Sequence, residues 1–286
     1  MSSALPLTHI QTALVEAGQW AKHMARQPFQ VEQKGPEDFV TAIDRTLDRQ
    51  LAQQFQTWFP DDGIITEENE CSIQTAAKGL ERLWLIDPLD GTEDFINRRP
   101  DYAIMAGLLQ ANQPKAGWIL RPESNQIFYG GPNWGLFTAQ GLDAGQPLQP
   151  TQPPEPSLEY CPILLGDRDQ RQYGHMIHQT IPEAQFYTLG SFGLKVLEVI
   201  QGRAGLYLYF NGRVKLWDTV GPAALAQQAG LICCDLEGTP LQFSFDALDP
   251  STLAHRQSIV IGWPAYVEKL LPRLQHALKR EVISTP

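Results

Sequence analysis

The chain has 286 residues, of which 22 are Lys or Arg and 32 are Asp or Glu, so its formal net charge is −10. This acidic balance argues against nucleic acid or an anionic membrane as the main partner, because both are negatively charged themselves. No apolar run approaches the ~20 residues that a membrane helix needs, and the N-terminus has no signal-peptide pattern. The four cysteines show no CxxC spacing, which predicts a reduced, cytoplasmic protein.

The first half of the chain predicts two helices followed by an antiparallel meander. Apolar spacing predicts a helix over 7–26, and a second helix opened by Asp44 after a break at 33–38 and a short strand at 39–43. Short apolar runs separated by Gly, Pro and Asn then predict strands. These runs are 63–66, 83–86, 102–109, 117–120 and 127–129.

The second half predicts alternating strands and helices. Residues 141–157 contain five prolines and form the best candidate for a linker. The predicted helices beyond it are 168–180, 192–201, 218–229 and 264–279, and the predicted strands are 185–189, 205–209, 230–234 and 257–262. The pattern is α+β followed by α/β, and we expect an N-terminal half over 1–145 and a C-terminal half over 158–286.

The most informative stretch is WLIDPLDGT, an apolar strand that runs into a tight turn. Pro88 and Gly91 favour a turn that brings Asp87 and Asp90 to one side, next to backbone N–H groups at a helix start. Carboxylates suit a hard cation such as Mg²⁺, and a helix start suits a phosphate, with the Thr92 hydroxyl beside it. An Asx turn with a helix cap explains the same residues without a ligand.

Four further acids lie at strand or loop ends. Glu67 and Glu68 point opposite ways in an extended chain, so at most one joins a given metal cluster, and Glu67 is our choice; two solvated surface acids are the alternative. Asp44 and Asp218 each lie where the chain enters a helix, and an N-cap role alone would explain either. Taken jointly, these carboxylates suit a shared cleft.

The spacing of Asp87 and Asp90 argues against one other phosphatase design. In haloacid-dehalogenase-type phosphatases the two aspartates of the nucleophile loop are two residues apart, whereas these are three apart with a proline between them. Because the extra residue changes where both carboxylates point, we assign no covalent aspartyl nucleophile.

In chain order these residues resemble the inositol monophosphatase superfamily of Mg²⁺-dependent, lithium-sensitive phosphomonoesterases. The matching segments are Asp44-x-Thr46, Glu67-Glu68, the DPLDGT stretch with Phe95, and Trp217-Asp218. The DPLDGT stretch together with a distant Trp-Asp is a highly specific pair. Thr66 stands where the family often has Gly before the two glutamates, and we expect only a local backbone change there.

The resemblance implies an α/β fold, a layered αβαβα sandwich of the inositol monophosphatase and fructose bisphosphatase type. It implies ligands for two or three Mg²⁺ ions, namely Glu67, Asp87, Asp90, Asp218 and the carbonyl of Leu89. Gly91 and Thr92 would hold the phosphate, while Asp44, Glu67 and Thr92 would orient and help deprotonate the attacking water. Bound metal ions would reverse the negative charge that an approaching phosphate dianion meets in this acidic pocket. They would also stabilise the entering and leaving oxygens. Water would then attack the phosphorus in line.

Two segments resemble the 3′(2′),5′-bisphosphate nucleotidase branch more than the inositol phosphatases. GTEDFI, from Gly91, is similar to the GTKEFI of sulfur-assimilation nucleotidases, and GSFGLKV, from Gly190, looks like their Gly-Ser-x-x-Leu-Lys segment. In that segment Ser191 and Lys195 would contact substrate, and the lysine suits a second phosphate; a solvated helix lysine is the alternative. Gly205 stands where many relatives have Asp, which weakens any contact to an inositol hydroxyl.

The leading hypothesis is an enzyme that hydrolyses 3′-phosphoadenosine 5′-phosphate to AMP and phosphate. Inositol 1-phosphate and fructose 1,6-bisphosphate are the alternative substrates within the family. A binding or regulatory protein is the competing class, and the intact set of acids argues against it. We expect a small phosphorylated metabolite as partner, no nucleic acid or membrane, and a monomer or homodimer.

Overall fold

The computed structural model describes residues 7–35 and 38–284, which belong to two compact units. Unit 1 comprises the chain up to Leu148 together with Gly190–Leu194 and Trp217–Leu225, and unit 2 comprises the remainder. Two short segments from the second half of the chain therefore belong to unit 1.

The helices and strands follow the predicted order. The helices are α1 Leu7–Met24, α2 Ala42–Trp58, α3 Ser72–Ala76, α4 Thr92–Ile96, α5 Asp167–Thr180, α6 Phe192–Ile200, α7 Leu216–Gln228 and α8 Pro264–Ser284. The strands are β1 Val31–Gly35, β2 Asp38–Thr41, β3 Gly63–Thr66, β4 Arg82–Asp90, β5 Ala103–Gln110, β6 Gln113–Arg121, β7 Gln126–Gly131, β8 Gly135–Gln140, β9 Gln146–Pro147, β10 Pro162–Leu165, β11 Gln185–Tyr187, β12 Leu206–Tyr209, β13 Ile232–Cys234 and β14 Ile259–Gly262. The predicted long helices are confirmed, whereas the sequence analysis does not predict α3, β1, β8, β9 and β10.

A seven-stranded sheet forms the centre of unit 1, within the described part of the chain, in the order β3-β4-β5-β6-β7-β8-β9. Only the β3–β4 pair among these is parallel, which confirms the largely antiparallel meander. Helix α1 contacts β5 and β6, and α2 contacts β3 and β4. The predicted stripe of α2 is buried against this sheet, with Leu47, Leu51 and Phe55 at most 1% exposed. Burial of the stripe explains why this amphipathic segment is helical here.

Unit 2 contains a mixed sheet with the strand order β11-β10-β12-β14-β13 among the described residues. Strands β10, β11 and β12 pair in parallel, and β14 runs antiparallel to β12 and β13. Cys233 and Cys234 lie on β13, as predicted for this apolar stretch, and the four cysteines are free thiols.

The proline-rich segment is anchored to unit 2 from residue 149 onward. Thr151 donates its backbone N–H to Ile200, the hydroxyl of Tyr266 donates to the carbonyl of Pro154, and Lys269 donates to the carbonyl of Pro156. These bonds order a stretch whose composition predicts a linker, and the division into halves at 145 and 158 stays a prediction. No helix in the described ranges is both long and apolar enough to cross a membrane.

Candidate functional site

Three aspartates from two elements of unit 1 converge in one cluster. Asp87 and Asp90 lie at the end of β4, and Asp218 lies in the first turn of α7. Each offers one carboxylate oxygen, and these three oxygens lie within 4.8 Å of one another. Such spacing suits oxygen ligands that share a cation.

The turn that carries Asp87 and Asp90 is an irregularity in the sheet. Asp87 pairs with Met105 of β5 and Asp90 pairs with Ala103, so the register shifts between the two aspartates. The backbone N–H of Leu89 donates to Oδ1 of Asp87 over 2.9 Å, which fixes that carboxylate. A bulge of this kind re-aims side chains at a strand end, and here it turns both carboxylates to one place.

Asp218 reaches the cluster because α7 approaches the sheet closely. A Cβ on Gly107 of β5 would lie 2.5 Å from the backbone nitrogen of Gly221, and a Cβ on Gly117 of β6 would lie 2.2 Å from its carbonyl oxygen. Only glycine fits at such backbone contacts. The small residues at the start of α7 predict close packing against another element, and β5 and β6 are that element.

The electrostatics of the cluster favour a bound cation. Burial raises the pKa of Asp87 well above its usual range, and the nearby charges of Glu67, Asp90 and Asp218 raise it further. Like charges held together in a buried place destabilise one another unless a proton or a cation offsets them. The three aspartates present therefore fit a hard divalent ion, and the predicted contribution of Glu67 stays a prediction.

Asp44 is not the N-cap of α2, which corrects one reading of the sequence. Thr41 caps the helix, and Asp44 is the third helical residue of a capping box in which each residue bonds the other's backbone N–H. Asp44 is 1% exposed, and burial raises its pKa although hydrogen bonds from Thr41 oppose the shift. One carboxylate oxygen is thus occupied by Thr41, and the other faces Thr92.

Thr92 links Asp44 to the turn that carries Asp87 and Asp90. Its Oγ1 lies 3.1 Å from Oδ1 of Asp44 and 3.0 Å from the carbonyl oxygen of Leu89. A hydroxyl carries one proton, so it donates to one of these oxygens at a time. Gly91, just before it, has a φ of 90° and N-caps α4. The predicted phosphate contacts of Gly91 and Thr92 stay a prediction.

Ser191 and Gly193 hold Asp90 in position, a role that sequence reasoning missed. The Ser191 hydroxyl donates to Oδ2 of Asp90, and the backbone N–H of Gly193 donates to the same oxygen over 2.9 Å. Ser191 has no exposed surface. Its predicted contact with substrate stays a prediction, beside the support that it gives to Asp90.

Asp48 is a second residue that sequence reasoning missed. It accepts from the hydroxyl of Thr66 over 2.9 Å and from the backbone N–H of Glu68 over 3.1 Å, and is 3% exposed. It thereby ties the chain around Glu67 to α2. Its position four residues after Asp44, on the same helix face, is the signal that could have found it. Thr66 thus contributes a buried hydrogen bond, and the local backbone change expected at this position stays a prediction.

Comparison with known proteins identifies the family. A model described as "Inositol monophosphatase family" matches residues 5–278. The chain belongs to this family. Its members are hydrolases of phosphate monoesters and depend on metal ions, typically Mg²⁺. The predicted class of enzyme is therefore confirmed, and so is the small phosphorylated substrate.

The relatives within the inositol monophosphatase family carry different names. The chain is 28% identical over 218 residues to the 3′(2′),5′-bisphosphate nucleotidase CysQ of Escherichia coli, covering 76% of this chain and 85% of that protein. It is 26% identical over 207 residues to the fructose-1,6-bisphosphatase/inositol-1-monophosphatase of Aquifex aeolicus, covering 70% and 73%. It is also 25% identical over 271 residues to the inositol monophosphatase of Mesembryanthemum crystallinum, covering 91% and 97%.

Solved structures of the family share the fold. The Thermotoga maritima IMPase superposes with a TM-score of 0.76 at 22% identity, covering 96% of this chain and 98% of that one. The extragenic suppressor protein suhB of Bartonella henselae gives 0.77 at 22% identity, covering 96% and 99%. The predicted α/β sandwich of the inositol monophosphatase type is thereby confirmed.

Lys195, predicted to contact substrate, is buried in unit 2. It is 7% exposed, and its Nζ lies 5.5 Å from the ring centroid of Tyr207. Burial raises the pKa of Asp169, and a hydrogen bond from the backbone N–H of Phe210 and the charge of Lys195 oppose that shift. The solvated lysine that we considered as an alternative is therefore wrong, and the substrate contact stays a prediction.

Proposed function

We propose that this member of the inositol monophosphatase family is a Mg²⁺-dependent, lithium-sensitive 3′(2′),5′-bisphosphate nucleotidase. It would hydrolyse 3′-phosphoadenosine 5′-phosphate to AMP and phosphate. The observation that carries the chemistry is the cluster of Asp87, Asp90 and Asp218, whose oxygens lie within 4.8 Å of one another. We propose a cytoplasmic monomer or homodimer.

The proposed metal ligands are oxygens at the ends of β3 and β4 and at the start of α7. They are Glu67, Asp87, the Leu89 carbonyl, Asp90 and Asp218, which together would hold two or three Mg²⁺ ions. When bound, Mg²⁺ supplies the positive charge that lets a phosphate dianion approach these carboxylates and that favours loss of a proton from water. Ser191 and Gly193 keep Oδ2 of Asp90 fixed, so that the ligand set is already arranged before a cation binds.

The proposed catalytic groups are Asp44, Glu67 and Thr92. With Thr92 donating its proton to Asp44, the lone pairs of its Oγ1 are available to orient the attacking water. Glu67 and Asp44 would help to take the proton from that water as its oxygen forms the new bond to phosphorus. The bond from phosphorus to the ester oxygen breaks in line with the attack, and the leaving oxygen takes up a proton.

Substrate choice rests on Lys195 and Gly205. A lysine in the Gly-Ser-x-x-Leu-Lys segment, similar to that of the nucleotidases, suits the second phosphate of the bisphosphate. A Cβ on Gly205 would lie 2.0 Å from the ring of Tyr266, so the Asp that many relatives carry there does not fit in this chain. The acid linked with inositol hydroxyls is therefore missing, which favours the nucleotidase over an inositol monophosphatase.

A substrate panel tests this proposal. Phosphate release from 3′-phosphoadenosine 5′-phosphate, inositol 1-phosphate and fructose 1,6-bisphosphate is measured with the wild type, Lys195→Ala and, as a matched lysine control, Lys115→Ala, which removes an exposed lysine. We expect the highest kcat/KM on the bisphosphorylated adenosine. Lys195→Ala should lower that value ~10- to 150-fold, since a charge-assisted hydrogen bond contributes about 1.5–3 kcal/mol.

The same panel contains the outcomes that would overturn the proposal. Inositol 1-phosphate has no second phosphate, so its hydrolysis should barely change in Lys195→Ala. Equal losses on both substrates would make the lysine structural, as its burial beside Asp169 and Tyr207 also allows. A wild-type preference for inositol 1-phosphate or fructose 1,6-bisphosphate would establish the alternative substrate.

Lithium sensitivity is measured in the same assay. Li⁺ is close to Mg²⁺ in size but has half its charge, so it could occupy a metal position without supporting turnover. We expect millimolar LiCl to inhibit while NaCl at the same concentration does not. Equal rates in both salts would count against this part of the proposal.

A further inference from the structure

A small pocket on unit 1 is lined mainly by cationic side chains. It has a volume of about 230 Å³, and its lining includes Lys22, Arg26, Arg98 and Arg99 but only one acid, Glu123. The whole chain has a net charge of −10, so the sign of the charge is locally reversed here. A concentration of positive charge on an acidic protein attracts small anions to that place.

Two of these four cations are already neutralised by neighbours. Arg99 donates to Oδ1 of Asp94 over 2.9 Å, and Lys22 donates to the carbonyl of Glu123 over 3.1 Å, with the Glu123 carboxylate 4.0 Å away. The hydroxyl of Tyr102 donates to that same carboxylate over 2.8 Å. Glu123, the acid of the lining, is thus engaged with Lys22 and Tyr102, and Asp94, outside the lining, is engaged with Arg99.

The other two cations of the pocket are Arg26 and Arg98. Among the residues that the structure describes, neither guanidinium has an ion pair or a hydrogen bond. Both are exposed at the rim of the pocket. Two guanidinium groups without carboxylate partners match the double negative charge of a phosphoryl group, which arginine binds through paired N–H donors.

The backbone of Arg98 has a conformation that is unfavourable for arginine. Arg98 has a φ of +56° just after the end of α4, in the left-handed region where Gly and Asn are preferred. An arginine there is less favourable for the backbone than either of those residues. An Asn at this position would therefore remove the guanidinium charge without straining the backbone.

The charges of α1 alone do not explain this pocket. Basic residues near the end of a helix interact favourably with its dipole, which accounts for Lys22 and Arg26 at the end of α1. Arg98 and Arg99 come from the segment after α4 and face the same cavity. Convergence of two chain segments on one cavity indicates a binding site.

We propose that this pocket binds a phosphoryl dianion, held between Arg26 and Arg98. The buried rings of Phe95 and Tyr102 form its apolar lining. Its volume is below the ~300–1,000 Å³ of sites for larger ligands, so it takes inorganic phosphate or the phosphoryl end of a small metabolite. This anion site consists of cations, not carboxylates, and its existence does not depend on the proposed nucleotidase activity.

Calorimetric titration of the full chain in EDTA tests the proposal. Without metal the carboxylate cluster repels phosphate, so binding there does not contribute. Inorganic phosphate and glycerol 3-phosphate are titrated separately at constant ionic strength. We expect saturable binding of one equivalent, and whichever of the two ligands binds more tightly identifies the source of the phosphoryl group.

Three variants assign the binding to the pocket. Arg98→Asn removes the charge but suits the left-handed backbone, so it should unfold at the same or a higher temperature while its affinity falls about tenfold or more. Arg26→Gln should weaken binding similarly, whereas Arg49→Gln, which removes an exposed arginine of α2, should not. Absence of saturable binding by the wild type up to on the order of 10 mM ligand would overturn the proposal. Unchanged affinity in both Arg26→Gln and Arg98→Asn would overturn it as well.

Discussion

The two ends of β4 lie in opposite environments. At its start, Trp84 is fully buried, with its ring centroid 4.4 Å from Phe59 and 5.2 Å from Phe55. At its end, Asp87 and Asp90 are almost as deeply buried, but their neighbours are other carboxylates. One strand thus carries apolar burial that stabilises the fold and a cluster of like charges that destabilises it.

This difference separates stability from chemistry along a single strand. Apolar burial contributes at every pH and without any ligand. Buried carboxylates are unfavourable until a proton or a cation offsets their charge. A substitution at the start of β4 should therefore change mainly the free energy of unfolding, and a substitution at its end should change mainly turnover.

Among the variants considered, Asp90→Asn should have the largest effect. This effect should be on turnover and not on stability. Loss of a charge from the proposed metal site should remove several kcal/mol of transition-state stabilisation, so kcat/KM should fall about a thousandfold or more. Stability in EDTA should be unchanged or higher, because one of the repelling charges is gone. Phosphate-release kinetics and urea unfolding measure the two quantities.

Asp143→Asn is the matched control for that variant, since Asp143 is an exposed acid of the same unit. It should change neither measurement. Full activity of Asp90→Asn, or activity of the wild type that persists in EDTA, would remove the basis for a shared metal site.

Trp84→Ala, at the start of β4, should lower the stability of the protein. Removing a fully buried tryptophan leaves a cavity among Phe55, Phe59 and Trp118 and should lower the free energy of unfolding by about 3–5 kcal/mol. The Mg²⁺ dependence of the molecules that remain folded should be that of the wild type. Trp84→Phe should lose less, because it fills part of the space. Loss of turnover without loss of stability would show that the two ends are not independent.

Gly107→Ala should affect both the stability of the protein and its Mg²⁺ requirement, and its effects should be smaller than those of Asp90→Asn and Trp84→Ala. Its Cβ would press on the backbone of Gly221 and move α7, and with it Asp218, away from the sheet. Overpacking of this kind destabilises by about 1–3 kcal/mol, and the concentration of Mg²⁺ needed for half-maximal activity should rise. Gly166→Ala is the control, since a Cβ there meets no atom within 4 Å. An unchanged Mg²⁺ requirement would mean that the glycine contact does not position Asp218.

Local patterns predicted much of this fold and the residues of the cluster. The turn from Asp87 to Thr92 is encoded by neighbouring residues, and the stripe of α2 by helical periodicity. The cap of α2 was also readable, because Thr41 and Asp44 have the spacing of a capping box, yet Asp44 itself was taken as a possible cap.

Contacts between distant parts of the chain were not predictable from those patterns. Ser191 and Gly193 reach Asp90 across about one hundred residues, and Gly107 meets Gly221 across a similar separation. A serine or glycine has the same local signal whether it binds a ligand, supports a carboxylate or makes room for a helix. Only the folded arrangement shows that Ser191 supports Asp90.

The central claim is that Asp87, Asp90 and Asp218 form a cation site that is destabilising when empty. Thermal unfolding of the wild type and of Asp218→Asn, each in EDTA and in excess Mg²⁺, tests it most directly. A ligand that binds only the folded state raises the Tm, so we expect Mg²⁺ to raise that of the wild type and to leave that of Asp218→Asn nearly unchanged. In EDTA the variant should unfold at the same or a higher temperature than the wild type. An equal Mg²⁺-induced shift in both proteins would contradict the account.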